Sequence, residues 1–186
     1  MVETTNQGNR GNQVTLHTKK GCKMDVKRKQ VGNAQQKDCN HAKNDNAGCG
    51  VEGEKATYGQ ALNAAGGGVY AMEWRDAGIR VWFFPRDEIP SDIPTDVANM
   101  TAPDPSQWSE PLADFPSTDC DIGNHFRNQS IVANIDLCGE LAGAESIYNK
   151  QDSCPLSCPE YVATNPEAFE TAYWKWKSWR VYTAAK

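Results

Sequence analysis

The 186-residue sequence predicts an all-β protein, a sandwich of two antiparallel sheets, on three observations. Short strand-like runs are separated by Gly, Pro, Asn and Asp. Apolar and polar residues alternate with a period of two in the best-defined runs. No stretch carries an amphipathic helical pattern of convincing length.

Residues 1–55 are rich in Asn, Gln, Gly and Lys, so most of the sandwich-forming sequence is expected beyond Thr57. Within that polar stretch, Val14 and Leu16 alternate with Gln13, Thr15 and His17. One face of this strand is therefore apolar, and the other presents amide, hydroxyl and imidazole groups suited to lining a cleft. Val69–Trp74 and Ile79–Phe84 flank Arg75-Asp76-Ala77-Gly78, whose Asp and Gly suit a hairpin turn, and aromatics on both arms suit cross-strand pairing. Ser130–Leu137 reads as a further strand. Ala172–Tyr182 reads as a last one, with Trp174 and Trp176 on one face and Lys175 and Lys177 on the other. Proline-rich surface loops are expected over Ile89–Pro116 and Cys154–Pro166. There is no internal repeat, and the pattern describes a single domain with long loops.

Composition narrows the class. The hydrophobic content of 39% is low but compatible with a packed core, and the apolar runs are far too short to span a membrane. The first thirty residues hold no hydrophobic segment of a signal peptide. Yet Cys22, Cys39, Cys49, Cys120, Cys138, Cys154 and Cys158 are many for a cytosolic chain of this size, and Asn99-Met-Thr and Asn128-Gln-Ser are N-glycosylation acceptors. These features predict a secreted protein with disulfides whose pairing the sequence does not reveal. The odd count leaves one thiol free or paired with residues outside this sequence. Cys39, His41 and Cys49, or Cys154 and Cys158, lack the tight spacing of a zinc site, so no metal is expected. The basic residues between Lys19 and Lys37, and the tail YWKWKSWR, stand in a chain of net charge −5, and read as a solvated loop and an amphipathic strand rather than a nucleic-acid surface. No nucleotide, phosphate-loop or flavin motif is present. The expected state is a monomer without a cofactor, bound to neither nucleic acid nor membrane.

Three segments together carry a resemblance: TLHTKKGC at Thr15–Cys22, GGGVYAMEWRDAGIRVWFFPRDEIPSDI at Gly66–Ile93, and HFRNQSIVANIDLCG at His125–Gly139. On these the chain resembles the fungal endo-β-1,3(4)-glucanases of glycoside hydrolase family 16, of the laminarinase type. The resemblance implies a concanavalin-like β-jelly roll and runs from Asn12 to the C-terminus, roughly the last three-fifths of a family domain by motif order. It also implies retaining hydrolysis of β-1,3 or mixed β-1,3-1,4 glucan, which takes two carboxyl groups about 5–5.5 Å apart, one attacking and one protonating the leaving oxygen. In the family both come from a Glu-x-Asp-x-x-Glu signature just before the TLHT strand, where a bulge resets the alternation so that both Glu side chains share the cleft.

In this sequence Met1 stands where that signature should be ending. Residues 1–11 are therefore expected to be a remnant of the signature region, and 12–186 the matched part of an N-terminally incomplete domain. By the match Glu3 is the acid/base, although Thr4 and Thr5 stand where the family carries a small-apolar pair and Glu3 reads equally as a solvated terminal carboxylate. His17, on the matched strand's polar face, is expected to support the cleft by bonding a carboxylate or a sugar hydroxyl. Gln13 shares that face and is a candidate contact for sugar hydroxyls. Of the six tryptophans, Trp74 and Trp82 on the hairpin are candidate platforms for sugar rings, whichever faces the concave sheet, while most of the others are expected in the core. Leu141 stands where family members commonly carry a glycan-facing Trp.

The expected function is therefore a β-glucan-cleaving glycosidase, with this chain truncated and inactive by itself. The alternative is a non-catalytic glucan-binding or cell-wall protein that keeps a remnant cleft, and the blandest reading is a disulfide-rich secreted sandwich with no glycan role. Missing strands would leave sheet edges and apolar positions uncovered, predicting marginal stability or aggregation.

Overall fold

The computed structural model describes residues 11–94 and 101–183, together with the backbone of Val2 and Glu3. Two compact units divide the chain, the first ending at Gln129 and the second starting at Ser130. The first holds two small antiparallel sheets. One has four strands, β1 (Val2–Glu3), β2 (Gln13–Leu16), β3 (Asn33–Ala34) and β4 (Cys49–Glu52), in the order β1-β2-β4-β3. The other has three, β5 (Gly68–Arg75), β6 (Gly78–Pro85) and β7 (Ala113–Pro116), in sequence order.

The alternation read from the sequence orients the first sheet. Val14, Leu16, Cys49 and Val51 are all buried in the core, so Gln13, Thr15, Gly50 and Glu52 fall on its opposite face. From the second sheet, Ile79, Val81, Ala113 and Phe115 join the same core, with Tyr70 and Phe83 packed against it. The unit is thus a sheet-on-sheet sandwich. The Cys22–Cys120 and Cys39–Cys49 disulfides lie in this core. Bridging excludes Cys39 and Cys49 from metal ligation.

The hairpin forms as predicted, with Arg75 paired to Gly78 around Asp76-Ala77 and all eight residue pairs in register from Gly68↔Pro85 to Arg75↔Gly78. Its β6 arm is buried on both faces. Ile79 and Val81 face the shared core, while Trp82 and Phe84 pack edge-on against Trp108, at 5.1 and 5.3 Å between ring centroids. β7 lies inside the stretch predicted as loop. Only four residues long and closed by Pro116, it gives too short an alternation to stand out between prolines, although Ala113 and Phe115 are fully buried. Asp114, between them, pairs in register with Arg80 and forms an ion pair with it at 3.4 Å.

The second unit departs more from the sequence reading. Neither Ser130–Leu137 nor Ala172–Tyr182 forms a strand, because a β-prone segment becomes one only when a neighbour pairs its backbone groups, and neither has such a ladder. Ile131, Val132 and Val181 are instead more than half exposed, at 62%, 72% and 75%. Trp174, Trp176 and Trp179 cluster with one another, with successive centroids 5.3 and 4.4 Å apart, and the Trp174 indole N–H donates to the Asn134 carbonyl at 3.0 Å. These half-exposed rings are not core. The segment read as the loop Cys154–Pro166 contains a helix, Cys158–Thr164, with Pro159 in its first turn where no backbone donor is needed. Cys158 is bonded to Cys138, which leaves Cys154 as the free thiol.

Candidate substrate-binding face

The outer face of the four-stranded sheet collects the polar residues of β2 and β4. Gln13 pairs with Glu52 and Thr15 with Gly50 across the β2–β4 ladder, while position 3 pairs with Gln13 across β1–β2 and Asn33 pairs with Glu52 across β3–β4. Glu3, Gln13, Glu52 and Asn33 thus form one register row, with neighbours about 4.8 Å apart along it. The Glu3 side chain, on which its predicted acid/base role depends, lies outside the described residues.

Two glycines let the side chains of β2 lie close over β4, and Thr15, Gly48 and Gly50 are themselves buried there. A Cβ on Gly50 would lie 2.4 Å from the Gln13 amide nitrogen, and one on Gly48 would lie 2.7 Å from the Thr15 methyl group and 3.0 Å from the His17 ring. Gly48 also has φ +63°, which disfavours any side chain there. Gln13 Nε2 donates to Thr15 Oγ1 at 3.2 Å, so the amide lies along its own strand over Gly50.

His17 follows the end of β2 and is half-buried. Its Nδ1 is 3.0 Å from Asn46 Oδ1. An amide oxygen only accepts, so Nδ1 carries a hydrogen and donates to it. Asn46 belongs to the turn Asn44–Asn46, whose three residues all have positive φ, a conformation Asn and Asp tolerate better than other side chains. Glu52 is half-buried, and its Oε2 accepts from Gln35 Nε2 at 3.3 Å.

The structure therefore brings Gln13 and His17 to one side of one sheet, with position 3 in backbone register with Gln13. The hairpin tryptophans lie on the other sheet. Trp82 is 3% exposed and its indole N–H donates to the Ser109 carbonyl at 2.8 Å, so it packs internally and offers no ring face to a sugar. Trp74, paired with Ile79, is 41% exposed and keeps a ring available. His41 is exposed on a loop. His125 ends the helix Ile122–His125, its ring beside Gly21. Sequence reasoning missed Glu52, Asn46 and the two glycines. The alternation of Cys49 and Val51 with Gly48, Gly50 and Glu52 carried the signal for three of them, whereas Asn46 depends on the turn that brings it to His17.

Residues 1–182 match the family described as the XgeA-like, catalytic GH16 domain. The chain belongs to that family. It is 48% identical over 186 residues to a probable glycosidase of Schizosaccharomyces pombe, and 38% identical over 190 residues to an endo-1,3(4)-beta-glucanase of Arthroderma benhamiae. Each match takes in 98% of this chain, and the chain spans only 42% and 40% of the respective relatives. Among solved structures, laminarinase 16A of Phanerochaete chrysosporium, with beta-glucans in donor and acceptor sites, is similar with a TM-score of 0.82 and 41% identity, over 93% of this chain and 58% of that one. A GH16 beta-1,3-glucosyltransferase that elongates is also similar, with a TM-score of 0.78 and 40% identity, over 93% and 57% of the two chains. These likenesses give the family's jelly-roll fold, of which this chain forms two small antiparallel sheets.

Proposed function

We propose that this chain supplies one wall of a β-glucan-binding cleft in a glycosidase acting on internal β-1,3 or mixed β-1,3-1,4 linkages. The observation that carries this reading is the polar strip Gln13-Thr15-His17 over Gly48 and Gly50, partly exposed at Gln13 and His17 and with Gln13 in register with position 3, within a family whose relatives are glucanases. Glu3 is the acid/base in this reading, His17 orients a carboxylate or a sugar hydroxyl, and Gln13 and Trp74 contact the glucan. The displacement proceeds with retention and needs a second, attacking carboxylate. The motif match supplies one carboxylate within these 186 residues, so they are expected not to hydrolyse glucan by themselves.

A second reading is a non-catalytic glucan-binding or cell-wall protein. Leu141, half-exposed where family members commonly present a glycan-facing Trp, favours it. The disulfides Cys22–Cys120, Cys39–Cys49 and Cys138–Cys158 support a secreted or wall-associated location for either.

The test is release of reducing ends from laminarin and from mixed-linkage β-glucan, by these residues alone and by the protein isolated as its cell makes it. Release by the isolated protein that Glu3→Gln abolishes supports the glycosidase. Glucan binding without release supports the second reading, and a folded protein that does neither refutes both.

A further inference from the structure

The acceptor at Asn128 has no part in the glucan reading. The helix Ile122–His125 is tied down to its last turn, with the Phe126 N–H donating to the Ile122 carbonyl at 2.9 Å and Arg127 Nε donating to the Gly123 carbonyl at 2.8 Å. The next residue leaves that order. Asn128 is exposed, has φ +50° and belongs to no helix or strand. Its side-chain amide makes no hydrogen bond among the described residues. Ser130, which completes the acceptor, is likewise exposed with a hydroxyl that makes none.

From this geometry we infer that Asn128 carries an N-linked oligosaccharide. The modification bonds Asn Nδ2 to C1 of an oligosaccharide held on a lipid pyrophosphate. The C1–O bond to phosphate breaks, the amide nitrogen loses a proton, and the lipid pyrophosphate departs. The hydroxyl two residues on is what the transferase recognises. Such a site must be an exposed segment whose backbone other elements do not need, and the loop after Arg127 meets both conditions. The Cys22–Cys120 disulfide, closing a sequence separation of 98, supplies an independent reason to place the chain in the oxidising compartment where this chemistry occurs.

The Asn99-Met-Thr acceptor falls outside the described residues at Asn99, so the experiment must separate the two positions. The full chain, behind a cleavable secretory leader, is translated in the presence of microsomes, and only the protease-protected product is analysed. After reduction, trypsin yields the peptide from Asn128 to Lys150, and amidase release of the glycan in heavy-oxygen water marks a modified Asn as labelled Asp. The expected result is labelling of this peptide that persists in Asn99→Gln and is lost in Asn128→Gln and in Ser130→Ala. Protected chain in which position 128 is unlabelled, or labelling that survives Ser130→Ala, overturns the inference.

Discussion

His17 Nδ1 lies 3.0 Å from Asn46 Oδ1, a contact that spans 29 positions of sequence and holds the imidazole in place at the end of β2. Asn46→Ala removes that partner without touching the strand. A neutral hydrogen bond contributes about 0.5–1.5 kcal/mol net, so affinity for laminarin oligosaccharides should fall about 2- to 10-fold, with the far-ultraviolet circular dichroism unchanged. Calorimetric titration of wild type and variant checks it. Unchanged affinity removes His17 from the binding face.

The hairpin tryptophans should separate stability from binding. Trp82, 3% exposed and packed on Trp108, loses a large ring and a buried hydrogen bond in Trp82→Ala, expected to destabilise by about 3–5 kcal/mol. Trp74→Ala, at a 41% exposed position, should cost under about 1 kcal/mol while weakening oligosaccharide binding. Urea denaturation and binding, measured on both variants, decide it.

The two disulfides of the first unit should differ in weight. By loop-closure entropy, Cys22–Cys120, with a separation of 98, contributes about 4–5 kcal/mol, and Cys39–Cys49, with a separation of 10, about 3 kcal/mol. The double variant Cys22→Ala/Cys120→Ala should therefore unfold at a lower urea concentration than Cys39→Ala/Cys49→Ala. A thiol assay on the unreduced, denatured wild type should count one thiol, that of Cys154.

Alkaline stability should report on Tyr70. Its hydroxyl donates to the Thr57 carbonyl at 2.6 Å and accepts from Asn12 Nδ2 at 2.8 Å. Burial pushes the phenol from 10.0 up to about 12, against the opposing effect of its hydrogen bonds with Asn12 and Thr57. The folded state therefore holds this proton more tightly than the unfolded chain. The resulting stabilisation is fully present below pH 10 and is lost as pH rises from 10 to about 12. Denaturation midpoints across that range should fall more steeply for wild type than for Tyr70→Phe, and parallel slopes would contradict the assignment.

Local alternation made the sandwich legible where a strand's partner is close in sequence or its pattern is long. The eight-residue arms of the hairpin and the Val14/Leu16 against Gln13/Thr15 face fold as read. Ser130–Leu137 and Ala172–Tyr182 carry the same kind of pattern but form no ladder, since β propensity describes a surface that needs a neighbour. Their uncovered apolar residues, with Ile131 at 62% and Val132 at 72% exposure, are the surface from which aggregation of the isolated chain is expected. On the candidate face, the polar residues of β2 were visible because they alternate. Asn46 was not, because its place beside His17 comes from three successive positive-φ residues that no periodicity announces. Trp82 and Trp74 carry the same pattern in sequence, and only the packing of Trp108 on Trp82 separates them.

Whether the polar strip of β2 binds β-glucan is decided by titrating isotope-labelled chain with laminarin oligosaccharides and following its amides by NMR. Saturable shifts are expected at Gln13, Thr15, His17, Gly48 and Gly50, with the core amides of Val81 and Phe115 unmoved. A dispersed, folded spectrum in which those five amides stay fixed at millimolar oligosaccharide would contradict that binding.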